Sequence, residues 1–162
     1  AKHFDHVEEL SALAKATLNI SNPGERVCLL GNIIHAADLS GQALSSDLAK
    51  KWADRVIAEF REQAQREVEL GLPLTPHMQG LEHELTYMQV QYGFVSHVVV
   101  PLWRALSDVL PGVKHLADQA HVNKLYYKDR METLSMTVNS LGKRVQSAEK
   151  LSKLAESKVE TK

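Results

Sequence analysis

A histidine, a carboxylate and a hydroxyl crowd together at His35, Asp38 and Ser40, where the apolar run "VCLLGNIIHAA" gives way to "DLSGQALSS". His35 and Asp38 stand three residues apart and so share one face of a helix. Imidazole and carboxylate both suit Zn²⁺, Mn²⁺ or Fe, and a carboxylate also suits Mg²⁺. The pair is a candidate part of a metal site. From spacing alone the plainer reading is stronger: a helix-end aspartate beside a satisfied core histidine. His3 and His6 repeat the spacing, and a solvated helix face explains them most simply. His77 and His83 fall in loop-like sequence and need no function. Gln91 is odder, an amide inside "HELTYMQVQYGFVSHVVVPLWRALSDVLPG", the most apolar stretch of the chain. Burying an amide without a partner costs about 1–3 kcal/mol. A hydrogen bond within the fold and a ligand-facing amide are equally good accounts of it. There is no Gly-rich phosphate loop, nucleophile elbow or paired-cysteine zinc motif. Spacing offers no Ser–His–Asp arrangement either.

Helices must position these residues. Phe4, Val7, Leu10, Leu13 and Ala14 recur at helical spacing and predict a helix over 2–18. "NISNPGE" breaks it. A second helix is predicted over 25–37, with Val27, Leu30, Ile33 and Ile34 inward. After the break at "DLSGQALSS", Ser45 or Ser46 caps a third helix whose apolar face is Leu48, Trp52, Val56 and Phe60. Trp52 and Phe60 are most simply core, and "AEFREQAQREVE" is a solvated face. Gly71, Pro73 and Pro76 stop that helix, and a loop runs through Gly80. The apolar stretch that follows reads as helix, because Met88, Gln91, Val95, Val98, Val99 and Leu102 share a face. Pro101 should kink it. From His115 helix continues nearly to the end. There Met131, Leu134, Val138, Leu141, Val145 and Ala148 follow a coiled-coil spacing, weakened by Gly142. No segment reads as a strand, so the fold class is all-α.

The chain has 162 residues, the length of one domain. Its 19 basic and 20 acidic residues nearly cancel, which argues against a dedicated nucleic-acid or membrane-surface binder. One cysteine, Cys28, cannot build a disulfide framework and suits a reducing, cytoplasmic setting. No stretch approaches a membrane span, and "AKHFDHVEEL" lacks the apolar core of a signal peptide. Without such a signal, the sequon Asn19-Ile20-Ser21 is a chance match. The chain opens without methionine and already in helical register, so it reads as a fragment or a processed product.

Four stretches together resemble the C-terminal half of a class I cyclic nucleotide phosphodiesterase catalytic domain. "AKHFDHVEEL" is similar to the helix after the family's "TDM" segment, and "HAADLSGQ" to its "ADxSN" metal motif. "KKWADRVIAEFREQAQREVELGLPLTP" resembles "W…EFF.QGD.E…G.P.SP", and "QYGFVSHVVVPLW" resembles "QxGFxxxxxxPLW". The resemblance covers residues 1–130 and leaves 131–162 as a C-terminal helical tail. It implies a multi-helix array, part of the helical (HD-type) phosphodiesterase fold. The implied activity is hydrolysis of cAMP, cGMP or both to the 5′ monophosphate. The family uses two divalent metals, Zn²⁺ with Mg²⁺ or Mn²⁺. Paired cations activate a bridging water, which attacks phosphorus in line and expels the 3′ oxygen. By resemblance Asp38 is a ligand of the zinc. Gln91 meets the purine edge, Phe94 stacks on the purine, Val56 is the opposite jaw and Trp52 walls the pocket. No ligand role passes to His35.

Two departures qualify the implication. The family's "HNxxH" and "HD" motifs, which carry the proton donor and further ligands, are absent, so this polypeptide alone should be inactive. Gly41 stands where the family commonly has a purine-positioning asparagine, which opens the choice of nucleotide. "HMQGLEHELTYMQV" also lacks the usual charge pattern beside the pocket. The competing readings are a catalytically silent helical module that binds nucleotide or a protein partner, and another HD-type metal phosphohydrolase. The Gln91–Phe94 pair argues against the latter. The expected partner is a cyclic nucleotide, with neither nucleic acid nor a transmembrane segment involved. The stripe after Met131 offers a seam for a homodimer or packs on its own domain. Membrane association through other parts of a longer protein stays open.

Overall fold

The computed structural model describes residues 2–159, with side-chain surroundings for 3–147. Its helices are α1 (Lys2–Ala16), α2 (Pro23–Asp38), α3 (Ser46–Glu69), α4 (Glu84–Phe94), α5 (Val100–Val109) and α6 (Lys114–Val159). Among the described residues there is no strand, as the all-α reading requires. None of the helices is long and apolar enough to cross a membrane.

Local chemistry sets the helix ends. Asn22 Oδ1 accepts from the Gly24 N–H at 2.9 Å, while Glu25 accepts from the Asn22 amide and the Asn19 N–H. This reciprocal cap starts α2 at Pro23, earlier than periodicity predicts, because proline at the first helical position lacks only an N–H that would be unpaired anyway. At the end of α3, Gly71 adopts φ +66°. Its N–H reaches the Val68 carbonyl and that of Leu72 reaches Glu67, closing the helix in a Schellman turn.

Helices α4 and α5 form one rod interrupted by a π-helical turn, Val95–Val99. Pro101 follows at once. It has no N–H, and its ring would strike the carbonyl four residues back, at His97 inside the wider turn. The interruption keeps Met88, Gln91, Val95, Val99 and Leu102 buried on one side. Helix α1 packs on α5, and both α4 and α5 pack on α6. Leu10, Leu13, Leu29, Leu106 and Tyr127 complete the centre of the core.

Two inward faces differ from expectation. Helix α2 buries Leu29, Asn32 and Ala36, with Ile33 partly buried, while Val27, Leu30 and Ile34 point outward. Helix α3 buries Ala49, Ala53 and Ile57 and leaves Leu48, Trp52 and Val56 exposed, so Trp52 is not core. Small side chains let a helix sit close to the core, and the bulkier stripe then lies on another side. In α6, Met131 and Leu134 pack against the core, whereas Val138, Leu141 and Val145 are exposed. Ala148 lies outside the described side chains.

The His3–His6 pair is not a solvated face. His3 Nδ1 lies 2.9 Å from His35 Nε2, and the His6 ring sits 4.8 Å from that of His35. Burial, then the neighbouring His35, hold His3 below its ordinary 6.5. An unfolded His3 therefore takes up a proton before the folded one does. Stability from this group is complete above pH 6.5 and is lost as pH falls through the lower folded value. The thermal midpoint of the chain should drop on acidification below that point. His3→Gln should show a shallower drop, and parallel curves for the two proteins would refute the assignment.

Asn123 on α6 is 1% exposed and fills all its hydrogen-bonding capacity. Its Nδ2 donates to the carbonyls of Gln42 and Leu44, each at 2.9 Å. Its Oδ1 accepts from the Ser46 hydroxyl at 2.8 Å and from Gln119 at 3.2 Å. Ser45 holds the cap position of α3 without a side-chain hydrogen bond, so Ser46 and Asn123 secure that end instead. Asn123→Ala should cost about 2–4 kcal/mol, since it strands several polar groups at once. A lowered urea midpoint would report it, with exposed Asn139→Ala as the neutral control.

Candidate functional site

The bulky face of α3 borders a cavity of about 800 Å³. The end of α2 contributes Asp38, the 3₁₀ turn Ser40–Ala43 contributes Gly41, α3 contributes Trp52 and Val56, and α4 contributes Gln91 and Phe94. All five residues singled out in the sequence, Asp38, Trp52, Val56, Gln91 and Phe94, therefore line one cavity. Three separate elements bring them there.

Gln91 is 4% exposed and lines the cavity, and its side chain takes part in none of the side-chain hydrogen bonds among the described residues. Of the two accounts of this glutamine, the amide left free toward the cavity is the one the geometry favours. Phe94 follows one turn later on α4 and is more exposed. An unpaired amide and a ring on one helix face, against aliphatic and indole groups from α3, suit a flat heteroaromatic ligand.

Gly41 lies close against Trp52. A β-carbon there would come within 3.2 Å of Trp52 Cγ. Without one, the indole rests directly on the turn. The Arg55 guanidinium lies 5.6 Å from the same ring. Gln42, next in the turn, donates to the Ala49 carbonyl at 3.2 Å and ties the turn to α3.

Buried polar contacts hold α3 and α4 around the space. The Tyr87 hydroxyl donates to Asp54 at 2.9 Å. Burial, then this bond, push the Tyr87 phenol well above its ordinary range. Burial likewise raises Tyr127, which lies beneath the turn, to about 12. Both phenols stay neutral at physiological pH and act as struts. Arg61 donates to the Leu81 carbonyl. Glu67 accepts from the Thr75 N–H and hydroxyl, each at 2.9 Å. That bond fixes the loop carrying His77, which lines the cavity with its ring 5.5 Å from Phe60. Sequence reasoning set His77 aside as loop. The available signal was its place immediately after the "GLPLTP" stretch, which already carried the resemblance.

Among the described residues Asp38 is the only acid lining the cavity. Among the described residues, no group of three or more His, Cys, Asp or Glu is arranged to hold a metal ion. His35 does not line the cavity and is engaged with His3. These residues do not by themselves fit a metal centre; they offer it one carboxylate.

The family model described as 3′5′-cyclic nucleotide phosphodiesterase matches residues 1–120. The chain is 31% identical over 126 residues to 3′,5′-cyclic-AMP phosphodiesterase 4C of Mus musculus, covering 77% of this chain and 18% of that protein. It is 30% identical over 123 residues to 3′,5′-cyclic-AMP phosphodiesterase, isoform F, of Drosophila melanogaster, covering 75% and 18%. The crystal structure of the phosphodiesterase domain of Salpingoeca rosetta rhodopsin phosphodiesterase superposes with a TM-score of 0.78 at 25% identity, covering 86% of this chain and 43% of that one. The chain thus spans under a fifth of these curated relatives and less than half of the matched domain. Membership in such a family suggests dependence on divalent metal. On the family match, the fold and the order of the motifs, the chain belongs to the 3′5′-cyclic nucleotide phosphodiesterase family.

Proposed function

We propose that this chain is the base-binding part of a cyclic nucleotide phosphodiesterase that hydrolyses cAMP, cGMP or both to the 5′ monophosphate. One observation carries the reading: Gln91, a buried residue whose amide has no hydrogen bond among the described residues, lines the same cavity as Phe94, Val56, Trp52 and Asp38. Gln91 binds the purine edge, where an amide both donates and accepts. Phe94 and Val56 hold the two faces of the base, and Trp52 closes the side. These apolar walls exclude water and orient the nucleotide so that its phosphate lies toward Asp38. The metals are Zn²⁺ with Mg²⁺ or Mn²⁺, and Asp38 supplies one ligand. The remaining ligands and the proton donor come from outside this chain, which alone is inactive. Residues 1–130 form the catalytic-domain part and 131–162 a tail. The exposed Val138, Leu141 and Val145 at heptad-like spacing support pairing of that tail with a second copy. The free thiol of Cys28 supports a reducing, cytoplasmic setting.

The test is hydrolysis of cAMP and cGMP by the full-length gene product with Mg²⁺ or Mn²⁺. Asp38→Ala should abolish turnover and lower bound metal, while a mutant of normal rate and metal content would remove Asp38 from the site. Gln91→Ala should raise KM about tenfold with kcat nearly unchanged, because it removes base binding and leaves the phosphorus chemistry alone. An unchanged KM would count against this pose. A folded, metal-replete protein that binds nucleotide without hydrolysing it would shift the reading to a catalytically silent module.

A further inference from the structure

Trp52, Val56 and Phe60 recur every four residues along α3 and form one wall of the cavity. Trp52 rests on the turn that follows Asp38. Phe60 lies eight residues further along the helix, a rise of about 12 Å. The cavity therefore has two ends. Asp38 and the turn mark one, and Phe60 with His77 marks the other.

Anchors on either side present His77 at its end. Thr75, just before the 3₁₀ turn Pro76–Met78, is gripped by Glu67 through its N–H and its hydroxyl. Met78, directly after His77, is 8% exposed and belongs to the core. Between these fixed points the imidazole meets Phe60 edge-on, with centroids 5.5 Å apart and planes at 72°. It lines the cavity and takes part in none of the side-chain hydrogen bonds among the described residues. A neutral imidazole in that position offers one donor and one acceptor. Other polar side chains on the lining are placed differently. Gln42 is bonded to the Ala49 carbonyl, and Ser40 stands beside Asp38 at the opposite end. His77 also opens "HMQGLEHELTYMQV", the stretch that departs from the family's charge pattern, so this group is a feature of the present chain.

We infer that His77 is a second base-reading residue, whose imidazole hydrogen-bonds the substituent at the 6-position of the purine. The inference rests on the proposed pose, with the phosphate toward Asp38 and the base between Phe94 and Val56. In that pose the six-membered ring, the part of the purine farthest from the ribose, points along α3 toward Phe60 and His77. Gln91 reaches the base from α4, and His77 reaches it from the loop after α3. One imidazole tautomer accepts from the amino group of adenine, and the other arrangement donates to the oxygen of guanine. His77 thus tightens both nucleotides and does not choose between them.

Binding of 5′-AMP to the full-length gene product, measured by calorimetry, tests the contact without requiring turnover. Purine riboside 5′-monophosphate, which lacks the 6-amino group, is the paired probe. His77→Leu keeps an apolar side chain against Phe60 and removes the polar one. It should weaken 5′-AMP about fivefold and leave the purine riboside compound within about twofold of its wild-type affinity. His77→Gln, which again carries a donor and an acceptor, should recover most of the lost affinity. Both variants should keep the wild-type thermal midpoint, because His77 is exposed. In turnover, His77→Leu should raise KM for cAMP and cGMP alike with kcat unchanged. Equal weakening of the two probes would reduce His77 to a packing residue and overturn the inference. So would unchanged binding of both, or a KM rise confined to one cyclic nucleotide. Wild-type protein that binds no nucleotide at all sinks the base-binding role and this contact with it. Wild-type binding that is indifferent to His77 sinks the contact alone.

Discussion

Asn123 connects the long last helix to the turn that follows Asp38. Its amide grips the carbonyls of Gln42 and Leu44, about eighty residues earlier in the chain, and accepts from the first residue of α3. The 3₁₀ turn so held carries Gly41, and the indole of Trp52 rests on that glycine. Asp38 ends the helix just before the turn. The positions of the carboxylate and of the indole wall therefore both depend on one buried amide. Such an amide stabilises only when every site is filled, and here all four are.

The bulk of the outward-facing apolar surface on α2 and α3 is the unusual energetic feature. A buried aliphatic side chain contributes about 1.5–3 kcal/mol relative to an exposed one. Val27, Leu30 and Ile34 together leave about 5 kcal/mol unrealised, comparable with the whole stability of a small domain. Surface chains of that kind need a purpose. On α3 the exposed face borders the cavity. On α2 it borders solvent, at the helix whose end presents Asp38 to the cavity.

The interruption at Val95–Val99 has a comparable logic on the opposite wall. Pro101 forces the backbone to open by a residue, and the rod continues without losing its buried stripe. Gln91 and Phe94 precede the opening, in regular helix, so their spacing of one turn is retained. The wall that carries them is rigid because Tyr87 is bonded to Asp54 on α3.

Much was legible from the residues alone. Periodicity and turn chemistry located five helical segments, the fourth of which the structure divides into α4 and α5, and the three-residue spacing of Gln91 and Phe94 put them on one face, because such patterns are local. The motif order pointed to a cyclic nucleotide phosphodiesterase without any geometry. Which face of α2 and α3 turns inward was not legible. Periodicity weights large side chains, and Ala49 and Ala53 pack inward because they are small. Three-dimensional packing decided that His77 joins Trp52 and Val56 at the cavity, where the family resemblance had already put those two, and that the indole of Trp52 rests on Gly41. It also brought His3 beside His35, thirty-two residues away. These are contacts between distant segments, and their distances are set by how helices stack, which no single stretch of sequence encodes.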